Sequence, residues 1–233
     1  MTALFRYSFL VHLRTFKSIP PLFIYLFVLM LNYTYTPNPI LDSYSFTSIA
    51  LFFIMGWITI TIFHAEDEGQ KEVTLMHARP VWRYHASLYT IALLNGFVLS
   101  ILSVGYPLVI GGFGEGLNQY HVIMGVLAHF SLSVLSISLS ALFTREWMRN
   151  PLNTWWRTLS VLILTLALAS MGKWIAPVVM WFLPPLYRSL DIMAMNDDLS
   201  SISASVYANY GWILFYSVML ICVYFILLYR KQK

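Results

Sequence analysis

The chain has 233 residues, of which 59% are hydrophobic and only 10% are charged. Because soluble domains carry about 25% charged residues, this composition excludes an ordinary soluble globular protein. The net charge is +4, and the single cysteine, Cys222, lies inside an apolar run, so the sequence predicts neither an internal disulfide nor a cysteine metal site. We therefore expect an all-α, polytopic membrane protein.

The segment before the first apolar run has the pattern of a helix in the membrane interface. Phe5, Phe9, Leu13 and Phe16 fall within about 80° on a helical wheel, with basic residues to one side. A helix with this pattern lies in the headgroup region, and we place it at residues 1–18. The alternative is a basic flank that only orients the first span. The run that follows ends in LNYTYTPNP, which lacks a signal-peptide cleavage site, so we expect it to remain as a span.

Apolar stretches between charged residues place six membrane spans along the chain. About 20 apolar residues cross a bilayer as a helix. The run from Tyr84 to Gly114 contains no Asp, Glu, Lys or Arg, and neither does the run from Leu199 to Tyr229. The predicted spans lie near residues 20–36, 46–64, 86–111, 121–143, 157–172 and 207–229, in a single transmembrane domain covering residues 1–233.

The distribution of positive charge predicts the orientation. Six spans put both termini on one side, and all of the 14 Lys and Arg residues except Lys173 and Arg188 then face that side. Because cytoplasmic loops carry the excess of Lys and Arg, we expect both termini to be cytoplasmic in a multi-pass protein of the cell membrane. Topology thus accounts for the basic surplus, and we expect no nucleic-acid binding.

The most charged stretch, EDEGQKEVTLMHARPVWRYH at 66–85, lies between the second and third predicted spans. Acidic residues at its start and Arg79 and Arg83 near its end suit the dipole of a short helix, which Pro80 would terminate. Such a helix, held between two spans on the cytoplasmic side, is suited to docking on another protein. A solvated connector is the alternative.

The fourth span is rich in serine. Ser133, Ser136 and Ser140 share one face of the predicted helix, and Ser131 and Ser138 share the opposite face. Because small hydroxyl residues permit helices to approach closely, we predict a span packed between two neighbours. A polar translocation surface is the alternative.

The apolar segment 175–187 is short and contains Pro177, Pro184 and Pro185. Its length and its prolines favour a re-entrant or interfacial element over a seventh crossing. We therefore expect residues 173–206 to be extracellular, with this element preceding the last span.

The sequence lacks the residue patterns of membrane enzymes. It contains no H-E-x-x-H zinc motif and no G-x-S-x-G nucleophile, and its histidines lack metal-ligand spacing. We therefore expect no catalytic residue and no metal or cofactor site. No G-x-x-x-x-G-K-[ST] phosphate loop occurs, so a separate subunit would have to bind any ATP and Mg²⁺. His129, inside the fourth span, is either a packed, hydrogen-bonded histidine or a functional one.

The stretch 66–85 resembles the cytoplasmic loop of six-span permeases in the type-two ABC exporter family. The pattern there is an acidic residue, Gly, a Glu three residues on, a Leu three further, and Pro-Val-x-Arg before the third span. The matching residues are Glu68, Gly69, Glu72, Leu75, Pro80, Val81 and Arg83. Where the family often has Gly-Lys at the mouth of the third span, this chain has Ser87-Leu88.

The resemblance implies that the chain is a permease subunit whose loop 65–85 contains a coupling helix. Two permeases, identical or related, would form a dimer on cytoplasmic P-loop ATPase subunits. The implied ATPase contacts are Glu68, Gly69, Glu72, Leu75, Met76, Arg79, Pro80, Val81 and Arg83.

The abundance of aromatic residues and methionine fits an amphipathic or hydrophobic cargo, either a peptide or a lipid-like molecule. Aromatic residues are equally expected as belts at the two membrane interfaces. As a small permease without a fused ATPase, the chain is similar to the permeases of lantibiotic-like peptide and phenol-soluble modulin export. The alternative class is a polytopic membrane protein without transport function, such as a sensor, an assembly factor or an intramembrane enzyme.

Overall fold

A computed structural model of the chain describes residues 2–114, 116–144, 146–147, 151–171, 180–197, 199 and 201–231. Regular structure in these residues is helical, with one isolated bridge between Asn38 and Phe113. The helices are α1 (Thr2–Arg14), α2 (Ile19–Asn32), α3 (Ile40–Phe63), α4 (Glu68–His77), α5 (Trp82–Ile110), α6 (Gln119–Ala141), α7 (Pro151–Ser170), α8 (Leu186–Met193) and α9 (Ala204–Lys231).

Four of the helices, α3, α5, α6 and α9, are long and apolar enough to cross a membrane. Helices α1 and α2 pass the same test together, but they meet at an angle of 72°, so the number is five if this bent pair is one span. The prediction of an all-α, polytopic membrane protein is confirmed at this level, and these four helices lie close to four of the predicted spans.

The other two predicted spans correspond to shorter or more polar helices. Helix α2 has 14 residues; at 1.5 Å per residue it covers about 21 Å, less than the roughly 30 Å of a hydrocarbon core. Helix α7 has 20 residues, but it contains Arg157 beside Trp155 and Trp156 and is not among the sufficiently apolar helices. The structure therefore supports four or five spans directly.

Helix α1 packs against the start of α5. The hydroxyls of Ser8 and Ser87 lie 3.1 Å apart at this contact. Phe9 is half-buried against the core, whereas Leu13 and Phe16 are 51% and 67% exposed. The apolar face predicted for an interfacial helix is thus divided: its first half packs on the protein, and its second half is free to contact the membrane.

The core consists of two apolar clusters. The first, termed the inner cluster, includes the ends of α3 and α9 and the start of α5, where the rings of Phe63, Tyr89 and Tyr224 lie with centroids 5.2 to 6.1 Å apart. The second joins the start of α3 to α6, α8 and the first half of α9, around Tyr44 and Met124. Helix α3 belongs to both clusters and connects the two ends of the bundle.

Helix α6 lies at the centre of the bundle, in contact with α3, α5, α7 and α9. A Cβ atom added to Gly56 of α3 would lie 3.0 Å from the Ser140 hydroxyl, and one on Gly96 of α5 would lie 3.2 Å from the Ser133 Cβ. The prediction of close packing between neighbouring helices is confirmed, because five serines of α6 are at most 1% exposed: Ser131, Ser133, Ser136, Ser138 and Ser140.

Asp197 fixes the connection between α8 and α9 to the start of α3. Its two carboxylate oxygens accept hydrogen bonds from the backbone N–H groups of Ile40 and Leu41, both at 2.9 Å. A carboxylate at a helix N-terminus satisfies free N–H groups and interacts favourably with the helix dipole. His121 Nε2, at the start of α6, lies 2.8 Å from the Asp197 carbonyl oxygen. The starts of α3 and α6 and this connection therefore share one end of the bundle.

The segment predicted to be re-entrant is described only from residue 180 onwards. Pro184 and Pro185 precede α8, in which Leu186 and Ile192 are buried. Residues 172–179, which include Pro177, lie outside the described residues. The structure thus gives a short packed helix in this segment, and the re-entrant path stays a prediction.

Candidate functional site

The charged stretch between α3 and α5 forms α4, a helix of ten residues without a buried side chain. The Asp67 carboxylate accepts a hydrogen bond from the Gln70 backbone N–H at 2.7 Å and caps the helix. The helix ends at His77, ahead of Pro80. Because so short a helix is marginal on its own, its contacts with α1 and with the end of the bundle must hold it.

One side of α4 is free, and the other faces the protein. Glu68, Gly69, Glu72 and Met76 are exposed, Met76 by 67%. Their spacing places them on one face of the helix, termed here the outer face of α4. Leu75 is half-buried and packs against the inner cluster. Among the implied ATPase contacts, the outer face therefore presents two carboxylates and a methionine, while Leu75 is turned towards the bundle.

The implied ATPase contacts that follow α4 in the sequence do not lie on its outer face. Arg79, Pro80 and Arg83 are exposed, and Val81 is half-buried. Arg79 and Arg83 line a groove between α4 and α1 with a volume of about 470 Å³. The structure thus separates the acidic residues of the stretch from its arginines.

Hydrogen bonds fasten α4 to α1 and to α5. The Tyr7 hydroxyl accepts a hydrogen bond from Gln70 Nε2 at 2.9 Å and lies 3.3 Å from Thr74 Oγ1. Glu66, which is 4% exposed, accepts a hydrogen bond from the Tyr84 hydroxyl at 3.2 Å and one from Thr74 at 3.4 Å. Glu66 therefore helps to attach α4 to α5, whereas the carboxylates of the outer face are exposed.

Behind α4, ionisable side chains join four parts of the chain. Glu146, in the connection between α6 and α7, forms a salt bridge with Lys71 of α4, and both side chains are nearly buried, at 11% and 12% exposed. Lys231 Nζ and His85 Nε2 each lie 3.8 Å from a Glu146 carboxylate oxygen. The Tyr224 hydroxyl is 2.8 Å from His85 Nδ1. These four residues, Lys71, His85, Glu146 and Lys231, are termed the Glu146 cluster. The cluster connects α4 to the start of α5 and to the end of α9.

The charges around Glu146 decide its protonation. Burial by itself raises the pKa of the Glu146 carboxyl, but the interactions with His85, Lys71 and Lys231 outweigh burial, and the pKa is lowered from the ordinary value of 4.5. Glu146 is therefore ionised at neutral pH and binds Lys71 through a charge-assisted hydrogen bond.

Sequence reasoning did not identify Glu146 as a site residue. The available signal was its isolation, because Glu146 is the only Asp or Glu between Glu115 and Asp191. A lone acid in a basic connection indicates a paired carboxylate. Its partners, however, come from distant parts of the sequence and could not be named from spacing.

His129 lies in the bundle and is fully buried. Its Nδ1 atom is 2.7 Å from the Gly125 carbonyl oxygen, and its Nε2 atom is 2.9 Å from Thr47 Oγ1. Both ring nitrogens have partners, as expected of a packed histidine. Among the described residues, no group of three or more His, Cys, Asp or Glu side chains is arranged to hold a metal ion.

Comparisons with protein-family models, with curated proteins and with solved structures return no match. Function is therefore inferred from the residues and from the geometry of α4.

Proposed function

We propose that the protein is the membrane-spanning permease subunit of an ATP-binding cassette exporter, and that α4 is its coupling helix. One observation carries the proposal: α4 is a capped, exposed helix held between two helices that are long and apolar enough to cross a membrane. The match of residues 68–83 to the loop pattern of type-two ABC exporters supports the same reading.

In the proposed topology the chain crosses the plasma membrane six times, with both termini in the cytoplasm. Helix α1 lies in the interface, and α2, extended by the residues up to 36, and α7 complete the set of spans. Residues 173–206 are extracellular and include the re-entrant element. The excess of Lys and Arg on the side of α4 supports this orientation.

The outer face of α4 would seat in a groove of a cytoplasmic P-loop ATPase subunit, which binds ATP and Mg²⁺. Glu68 and Glu72 would pair with basic groups of that groove, and Met76 would provide an apolar contact. Because the Glu146 cluster joins α4 to α9, a displacement of α4 would move the bundle as a unit. The permease would thus have two conformations, and the nucleotide state of the ATPase would decide which of them is populated. The working unit would be a dimer of two such permeases, identical or related.

An apolar groove between α3 and α7 favours the hypothesis that the cargo is amphipathic or hydrophobic. It has a volume of about 360 Å³ and includes Trp57, Trp155 and Trp156 in its lining, with Thr158 as the polar member. Aromatic walls with few polar groups suit a ligand that buries mostly apolar surface. The cargo class that fits is a peptide or a lipid-like molecule.

Co-purification tests the proposal. The full-length protein is expected to retain a P-loop ATPase from its native membranes in mild detergent, and to show no ATPase activity when that partner is removed. The double variant Glu72→Ala, Met76→Ala should retain at least about tenfold less of it, because truncating one partner of a buried charge pair across an interface costs about 2–5 kcal/mol. The matched control is Asp191→Ala, Met195→Ala, which changes an exposed acid and an exposed methionine at the other end of the bundle.

Two results would contradict this function. Retention of the same ATPase by both double variants would show that α4 is not its docking helix. Retention of a different partner, with no ATPase, would favour the non-transport class of sensor, assembly factor or intramembrane enzyme.

A further inference from the structure

The groove between α1 and α4 is lined by basic and apolar side chains. Arg79 and Arg83 are among its lining residues, and Leu4 and Val73 contribute apolar surface. Tyr7 also lines the groove. None of its described lining residues is acidic, so the groove offers two guanidinium groups to an anion.

The two arginines are available for a ligand. In the described part of the chain, the ion pairs of this end of the bundle involve Lys71 and Lys231, both with Glu146, whereas Arg79 and Arg83 form none. Both arginines are exposed. Guanidinium groups bind phosphate through paired hydrogen bonds, so an unpaired pair of arginines favours a phosphate group as the ligand.

We expect the groove to lie at the level of the membrane surface. Lys17, after α1, donates a hydrogen bond from Nζ to the His64 carbonyl oxygen at 2.9 Å, which fixes this segment at the end of α3. Arg83 lies in the first turn of α5, and its guanidinium carbon is 5.8 Å from the ring centroid of Trp82, a side chain that is 49% exposed. Exposed tryptophans at the ends of membrane-crossing helices sit at headgroup depth.

We propose that this groove binds the headgroup of an anionic phospholipid from the adjacent leaflet. Arg79 and Arg83 hold the phosphate, and the apolar side chains of Leu4 and Val73 receive the first carbons of an acyl chain. Basic pockets beside membrane helices bind acidic headgroups in this manner. A soluble acidic peptide fits less well, since the groove lies at headgroup depth and part of its surface is apolar. The outer face of α4 stays free, so the lipid site is independent of ATPase docking.

The test uses full-length protein in dodecyl maltoside, titrated with dioctanoyl phosphatidylglycerol or dioctanoyl phosphatidylcholine. Binding is followed by native mass spectrometry. Wild type should bind the anionic lipid, and R79Q/R83Q should bind it at least about tenfold more weakly, because charge-assisted hydrogen bonds to phosphate are lost. The control R6Q/R14Q removes the same charge from exposed positions of α1 that do not line the groove. The affinity of this control for the anionic lipid should stay within about twofold of wild type.

Several results would overturn the lipid site. These are equal binding of both lipids by wild type, an equal loss of affinity in both double variants, or displacement of phosphatidylglycerol by sodium phosphate at the same concentration. Loss of ATPase co-purification from R79Q/R83Q with lipid affinity unchanged would assign the groove to a protein partner instead. If R79Q/R83Q does not yield folded protein, R79Q and R83Q are titrated separately, and unchanged affinity in both would also reject the proposal.

Discussion

Replacing Glu146 with glutamine should loosen α4 from the bundle. Glutamine keeps the size and one acceptor oxygen of the side chain, so the change removes charge with little loss of packing. Truncating one member of a buried ion pair costs about 3–5 kcal/mol, and the Glu146 and Lys71 side chains are 11% and 12% exposed, which favours the lower end. Lys231 is 52% exposed and adds about 0–1 kcal/mol. We expect E146Q to be destabilised by about 3 kcal/mol.

The assay combines thermal unfolding with local accessibility. In a chain of this length about 1 kcal/mol lowers Tm by about 2–4 °C, so E146Q should melt about 10 °C lower in detergent. In a Cys222→Ser background, a cysteine replacing half-buried Leu75 should react faster with a thiol reagent in E146Q than in the parent. K231Q is the control, with about 0–1 kcal/mol lost. The double variant K71Q/E146Q should lose less stability than the two single changes added together.

A result within about 0.5 kcal/mol of the parent, with no change in labelling, would refute this reasoning. It would mean that the Glu146 cluster carries no stability and that the hydrogen bonds to α1 and α5, together with the packing of Leu75, hold α4. The cluster would then not transmit a displacement of α4 to α9.

Three further predictions concern other parts of the bundle. Gly125→Ala should destabilise the protein by about 1–3 kcal/mol, because the new Cβ would lie 2.9 Å from a buried Tyr44 ring carbon. Its control, Gly105→Ala, meets no atom within 4 Å and should leave the stability unchanged or raise it by up to about 1 kcal/mol. Thermal unfolding measures both variants. Asp197→Ala should lower the free energy of unfolding by about 1–2 kcal/mol, because it removes the two hydrogen bonds that cap α3, and a lower Tm would report this loss. Because the pKa of Glu146 is lowered in the folded protein, its contribution is complete above the ordinary value of 4.5 and is lost as the pH falls below it, so the Tm gap between wild type and E146Q should close in that acidic range.

Local signals predicted α4 and the four most apolar helices. Glu68 lies in the first turn of α4 and His77 in its last turn, and Pro80 follows closely, so the helix could be predicted from neighbouring residues. Likewise α5 contains no charged residue between Arg83 and its end, and length alone identifies it. These features depend on short stretches of chain and not on tertiary contacts.

Features that depend on distant contacts were not predictable from one sequence. The salt bridge of Glu146 joins it to Lys71 and places Lys231 nearby, two residues far away along the chain. The same limitation applies to Leu75, which the resemblance included among the ATPase contacts and which packs against the inner cluster. Periodicity shows that a short helix has two faces, but the neighbouring helices decide which face is covered.

The serines of α6 bear on how this helix enters the bilayer. The hydroxyls of Ser131, Ser133 and Ser138 each donate to a carbonyl oxygen of α6 itself, so a newly inserted helix meets the hydrocarbon with these groups already satisfied. For these three serines, insertion does not have to wait for a neighbouring helix. Ser136 differs, because its hydroxyl donates to the Phe52 carbonyl oxygen on α3. Its hydrogen bond forms as the two helices associate, and it marks the step at which separate inserted helices become one bundle.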